Sequence, residues 1–196
     1  NNWSAQQWAM DFRAMKHISI DTVIIIRSGY QNKAIFESDA LKKHVGLMLP
    51  VYEDLLELFL SLAQDNEMSL YFGTYDDYSL LQSGGHKKII DLNKDFIDEA
   101  WTKYGSYKSF KGWYITQELA TKDDAGARCI REIAQHCKSI TGDKLPTLIS
   151  PYIAGKKQFE NAITLQQHEK DWDYMLSILE GVIDNVAFQD GNVDYH

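Results

Sequence analysis

Phe110-Lys111-Gly112-Trp113-Tyr114-Ile115-Thr116-Gln117-Glu118-Leu119 is an aromatic and β-branched run that ends on a carboxylate, and a helical pattern opens shortly after it. Runs of this composition read as strands. A strand that feeds a helix and carries Glu at its C-terminal tip is where parallel α/β folds put catalytic groups. Glu118 is therefore the first candidate functional residue.

Working outward, the same alternation repeats. Thr22-Val23-Ile24-Ile25-Ile26 is a continuous apolar run of the kind buried on both faces of a parallel sheet, and Met68 to Gly73 is a second strand. On the other side come Leu145 to Ile153, with prolines near its ends, and Val186-Ala187-Phe188. Helical patterns separate them. Trp3 to Lys16 has Ser4 as a cap and Trp8, Phe12 and Met15 on one face. Val51 to Ala63 follows Pro50, and Asn93 to Tyr104 is capped by Asp91 or Asn93. Asp123 to Thr141 closes on Gly142, and Thr164 to Gly181 shows an apolar face of Trp172, Met175, Leu176 and Leu179.

Strand follows helix about every 35 to 47 residues, which is βαβ spacing and predicts parallel βα repeats with right-handed crossovers. The long irregular stretches, Ser28 to Gly46 and Thr74 to Asp91, both follow strands and so belong at the carboxyl end of the sheet, where such folds build sites. Five strands fit either an open doubly wound sheet or most of a (β/α)8 TIM-like barrel. The doubly wound sheet would bring a glycine-rich phosphate loop, and no strand ends in G-x-G-x-x-G or a Walker pattern. Ser83-Gly84-Gly85-His86-Lys87-Lys88 follows no strand directly and reads as a flexible loop tip.

The 196 residues suffice for one domain with a sizeable core. An apolar share of 44% and a charged share of 24% are those of a soluble globular protein. A net charge of -8 with no basic stripe argues against nucleic acid, and no apolar run reaches the roughly 20 residues of a transmembrane helix. Aromatics at 12% lean toward flat ligands such as sugars. Cys129 and Cys137 share one helical pattern, about 12 Å apart along its axis, too far for a disulfide. The six histidines are scattered with no His-x-x-x-His pair, so no metal site and no cofactor are expected, and no G-x-S-x-G elbow is present.

Trp8 through Asp21-Thr22-Val23-Ile24, then Gly112-Trp113-Tyr114-Ile115 with Glu118, Ile149-Ser150-Pro151-Tyr152, and Val186-Ala187-Phe188-Gln189-Asp190-Gly191 form a series that resembles the bacterial DUF4434 family over nearly the whole chain. That family is grouped with the glycoside-hydrolase TIM barrels. The resemblance implies a glycosidase-like domain over residues 1–196 that holds what would be strands 2 to 6 of the barrel, a carbohydrate ligand, and an exported protein. Either the chain is part of a barrel or it completes its sheet in an unusual way, and open sheet edges predict self-association. By resemblance Glu118 takes the strand-4 acid/base position, with Gln117 where many retaining glycosidases carry Asn and with their strand-7 nucleophile outside the chain.

Glycoside hydrolysis needs two carboxyl groups flanking the scissile bond. Glu118 is the acid candidate, because Trp113, Tyr114 and Tyr152 offer an apolar environment that would raise its pKa. Its plainer role is a helix cap or a solvated side chain. Asp190 is the second candidate, and its plainer role is the turn that Asp-Gly commonly makes. Gln189 beside it suits a sugar hydroxyl. Asp76 and Asp77 within Tyr75-Asp76-Asp77-Tyr78 are a third carboxylate option. Arg27 ends the first strand, where it can bind a substrate oxygen or pair with a carboxylate. Tyr30 and Tyr75 are candidate stacking walls, and of Trp113 and Tyr114 only one can face the centre. The expected pocket is thus Arg27, Tyr75, Asp76, Tyr114, Gln117, Tyr152 and Gln189 around Glu118 and Asp190. A glycoside hydrolase and a carbohydrate-binding or scaffold module that has lost turnover both fit this pattern.

Overall fold

The computed structural model describes residues 3–153 and 163–189. In chain order the elements are α1 (Ala5–His17), β1 (Thr22–Ile24), β2 (Gly29–Tyr30), β3 (Lys33–Ala34), α2 (Asp39–Val45), α3 (Leu55–Asp65), β4 (Ser69–Gly73), β5 (Tyr75–Asp76), α4 (Tyr78–Gln82), α5 (His86–Tyr104), β6 (Phe110–Tyr114), α6 (Asp124–Thr141), β7 (Thr147–Ile149), α7 (Leu165–Leu179) and β8 (Asn185–Val186). The main sheet runs β1-β4-β6-β7-β8, all parallel. Each strand joins the sheet beside its predecessor, with no reversal of order. A doubly wound sheet reverses at its switch point. Unbroken sequential order is the wall of a (β/α) barrel, and the five strands form a curled half-barrel with alternating helices.

Helix ends follow their local chemistry. Ser4 and Gln7 form a reciprocal capping box on α1, and Gly142 closes α6 in the left-handed region (φ 60°). On the helix side of the sheet, the rings of Phe36, Phe72, Phe96, Phe110 and Trp113 interlock; Phe36 stacks on Phe96 at 5.3 Å and Phe72 meets Trp113 edge-on at 5.7 Å. A bulge at Lys111 shapes this core: Leu70 pairs with Phe110, but Tyr71 pairs with Gly112. The skipped residue breaks the two-residue alternation, so Phe110 and Trp113 pack together on the helix side. Tyr114 then faces the concave side. Gly112 lies under the Tyr71 ring, whose carbons would come within 2.6 Å of any Cβ there.

Several sequence expectations are corrected. The first strand is not buried on both faces: Ile24 and Ile26 are exposed at 38% and 57%, because β1 is an edge strand and only Val23 and Ile25 of this run pack against the core. The helix expected from Val51 starts at Leu55, capped by Asp54. The glycine-rich loop tip is half helix, since Gly85 precedes α5 and His86-Lys87-Lys88 form its first turn. Asn93 is therefore mid-helix and fully buried rather than a cap. The two irregular stretches contain a small sheet, β3-β2-β5, in which β2 and β5 prolong the β1–β4 pairing past the strand tips. Regular pairing of the third expected strand stops at Tyr114. Cys129 and Cys137 are both buried free thiols on α6.

Candidate functional site

The carboxyl tips of the five strands lie at one end of the sheet, and hydrogen bonds stitch them together. The Thr116 N–H donates to Thr74 Oγ1 (3.0 Å), and the Thr116 hydroxyl lies 2.8 Å from the Thr74 carbonyl and 3.0 Å from the Ile26 carbonyl. One side chain thus ties the ends of β1, β4 and β6. Gly73 permits this closeness, because a Cβ there would collide with the Ile25 and Ile26 carbonyls.

Glu118, half-buried, follows the β6 tip. Gln189, just past β8, donates from Nε2 to Glu118 Oε1 (2.8 Å) and to the Ser150 carbonyl (2.6 Å). Gln189 is itself held by its N–H on the Pro151 carbonyl (2.8 Å), and the Tyr152 N–H donates to the Leu119 carbonyl (2.9 Å). The Tyr152 phenol is raised in pKa, first by hydrogen bonding to the Glu118 carboxylate and then by burial. Burial, followed by the charge of Glu118, pushes Tyr114 up to about 12 against the opposing effects of Ser150 and Arg27. Tyr114, Tyr152 and Gln189 therefore all feel the charge at Glu118 or bond to it.

Arg27 leaves β1 and bonds through Nη1 to Asp76 Oδ2 (3.1 Å), with its guanidinium 5.0 Å from the centre of the Tyr30 ring. Asp76 is raised in pKa, chiefly by burial and further by Glu118, while Arg27 acts in the opposite direction. Asp77 accepts from the Leu80 N–H (3.1 Å) as the cap of α4.

Three expected residues are placed differently from Glu118. The Tyr75 ring is buried in the core, its hydroxyl donating to the Gln31 carbonyl (3.1 Å), so it forms no open stacking wall. Gln117 is buried, and its Nε2 donates to the Tyr75 carbonyl (2.8 Å). Trp113 faces the helices, so the environment of Glu118 is built from Tyr114, Tyr152 and Gln189 instead. Asp190 and Gly191 lie outside the described residues. Among the described residues no group of three His, Cys, Asp or Glu could hold a metal, and no helix is long and apolar enough to cross a membrane.

Two contributors escaped sequence reading. Asn93 on α5 accepts from the Tyr75 N–H (2.8 Å) and donates to the Tyr75 carbonyl (3.0 Å), which fixes the backbone beside Asp76. An amide on the Ile89, Leu92, Phe96, Ile97 stripe was the available signal, since a buried polar side chain in an apolar face needs a partner. Thr116, inside an apolar run, gave no such sign.

Comparison with known proteins places this geometry. The model of a family described as a domain of unknown function (DUF4434) matches residues 1–196. The crystal structure of a protein named "putative alpha-L-fucosidase" from Bacteroides thetaiotaomicron superposes with a TM-score of 0.93 at 41% identity, covering 100% of this chain and 62% of that one. This chain thus spans less than two thirds of that relative's length. A glycoside hydrolase family 5 protein from Bacteroides vulgatus superposes at 0.58 with 10% identity, covering 96% of this chain and 47% of that one. An intracellular xylanase from Thermoanaerobacterium saccharolyticum superposes at 0.54 with 11% identity, covering 95% and 61%. The last two show the fold alone, which is glycoside-hydrolase-like. No curated protein matches the sequence.

Proposed function

The chain belongs to the DUF4434 family and has a glycoside-hydrolase-like fold, and from these premises we propose that it acts on a carbohydrate as a glycoside hydrolase, with Glu118 as general acid/base. The observation that carries this reading is the setting of Glu118. It is a half-buried carboxyl at a strand tip, with one oxygen held by Gln189 and with Tyr114 and Tyr152 beside it.

As the acid, Glu118 gives its proton to the glycosidic oxygen as the bond to the anomeric carbon breaks, and the electron pair leaves with that oxygen. As the base, it later takes a proton from water. Asp190 is the proposed second carboxylate. Asp76 is the lesser option, because its pairing with Arg27 suits it better to holding a sugar hydroxyl. Tyr114, Tyr152 and Gln189 line the pocket around the reacting bond. Gln117 and Tyr75 support it from behind, through the bond that joins them. Residues 1–196 act in this reading as one domain.

Assay of aryl α-L-fucosides, aryl xylosides and xylans, chosen from the names of the similar structures, tests the reading. Turnover by the wild type that falls about 10²–10⁴-fold in Glu118→Gln is the expected result. Turnover undiminished in that variant would overturn it. Sugar binding by the wild type without turnover would favour the carbohydrate-binding or scaffold module.

A further inference from the structure

Three chain segments leave the carboxyl end of the sheet from one knot. The Thr116 hydroxyl lies 3.0 Å from the Ile26 carbonyl and 2.8 Å from the Thr74 carbonyl. Arg27 comes directly after Ile26, while Asp76 and Glu118 each stand two residues beyond their threonine, Thr74 and Thr116. A chain advances at most about 3.6 Å per residue, so the three side chains start close together. Their interactions agree: Arg27 Nη1 lies 3.1 Å from Asp76 Oδ2, and the Arg27 charge acts on the phenols of Tyr114 and Tyr152 in the sense opposite to Glu118.

This arrangement does not use up Arg27. Its side chain is 36% exposed, and among the described residues Asp76 is the one hydrogen-bond acceptor on its guanidinium. The guanidinium carbon lies over the Tyr30 ring, 5.0 Å from its centre. That contact adds no acceptor oxygen, and it shields the cation from water on one side. A guanidinium presents its N–H groups as a planar fork, so one with a single bond to Asp76 still offers another edge. The matching partner for such an edge is a carboxylate, which takes two parallel N–H bonds.

The two acids of the cluster leave room for a third carboxylate. Burial favours the protonated form of Asp76. Glu118 must hold a proton when it acts as the acid. The guanidinium keeps its charge throughout.

We propose that the carbohydrate taken by this site is an acidic one, a glycoside bearing a uronic-acid carboxylate, and that Arg27 sets the preference by binding that carboxylate with the edge of its guanidinium that Asp76 leaves open. A neutral sugar would leave that edge to water. That the sugar is a substrate rests on the glycosidase reading; its capture by Arg27 does not.

NMR titration of the 196-residue chain with methyl glucuronide, methyl galacturonide and their neutral counterparts, methyl glucoside and methyl galactoside, tests this. At least one uronide should bind about tenfold or more tighter than its neutral counterpart, the worth of a hydrogen-bonded charge. Arg27→Gln should bring the two within about twofold of each other. Arg27→Lys keeps the charge without the fork and should fall between. Asp76→Asn removes a competing carboxylate and should keep the preference, which a role for Arg27 confined to pairing with Asp76 would not require. Equal affinities in the wild type, or no uronide binding at all, overturn the proposal without any variant. A preference that survives Arg27→Gln also overturns it. Sodium acetate bound as tightly as the uronides would mean a bare anion site and overturn the sugar-acid assignment. Selective uronide binding without turnover of any uronide would sink the glycosidase reading and leave this preference standing; turnover of neutral glycosides with no uronide preference would do the reverse.

Discussion

At the scale of single residues, the Arg27–Asp76 pair is the most exposed to test. Asp76 is mostly buried and raised in pKa, chiefly by burial, while Arg27 limits the rise. Arg27→Met removes the limiting cation and should raise Asp76 further, which carboxyl-carbon NMR titration reads directly. A folded pKa above the unfolded one means that Asp76 favours folding while protonated and loses that contribution as pH rises through the folded value. The variant should therefore be close to wild type near pH 4 and fall behind it toward neutrality, by about 1–3 kcal/mol in urea denaturation. A gap that is flat with pH would show that Arg27 acts through contact alone. The place of Glu118 just past a strand was legible at this scale, because a carboxylate closing an aromatic strand stands out against any helix pattern. The orientation of Trp113 was not, since one skipped residue at Lys111 inverts the alternation and leaves no mark in composition.

Elements carry the next set of expectations. Asn93 on α5 replaces a strand partner for Tyr75, pairing with both its N–H and its carbonyl. Asn93→Leu leaves both backbone groups without that partner and should cost about 2–4 kcal/mol, with a lower melting temperature and faster hydrogen exchange at Tyr75 and Asp76. A change below about 0.5 kcal/mol would mean that the β2–β5 pairing holds this backbone unaided. Glu99 on the same helix accepts from the Ser38 hydroxyl (2.6 Å), the Asp39 N–H (3.0 Å) and the Ala40 N–H (3.1 Å), and it pairs with Lys103. Burial opposes its ionisation, but Lys103, Ser38 and the two N–H groups outweigh burial and lower its pKa below the ordinary 4.5. Its contribution is thus complete above that value and is lost as pH falls through the lower folded one. Glu99→Gln should cost about 1.5–3 kcal/mol at pH 7, and the difference from wild type should shrink in acid. Long periodic helices such as α6 could be read from the chain. The two-residue strands β2, β3 and β5 could not, because they are too short to show a period and are fixed only by the tips they extend. The start of α5 was hidden for a related reason: Gly85 caps it with no side chain.

For the whole molecule, parallel strands added in sequential order make a curved wall whose concave face and two edges differ from its helix-covered face. The order was legible from the regular spacing of strand and helix. The uncovered face of β1 was not, because Thr22-Val23-Ile24-Ile25-Ile26 has the same composition whether one face is covered or both. Ile24 and Ile26 stand exposed on the β1 edge, and Phe188, at 42% exposure, lies beyond β8 at the other. Among the described residues β1 pairs only with β4 and β8 only with β7. A free strand edge beside apolar side chains is a template for another chain. The 196-residue chain alone should therefore self-associate as concentration rises, with a molar mass by light scattering above that of the monomer. Ile24→Lys with Ile26→Lys places two charges on that face and should return the monomer mass. Because both side chains are already partly in water, the double variant should change the unfolding free energy of the monomer by no more than about 0.5 kcal/mol per site. Two results would refute association through this edge: a wild-type chain that stays monomeric at every concentration, or a double variant that associates as strongly as wild type.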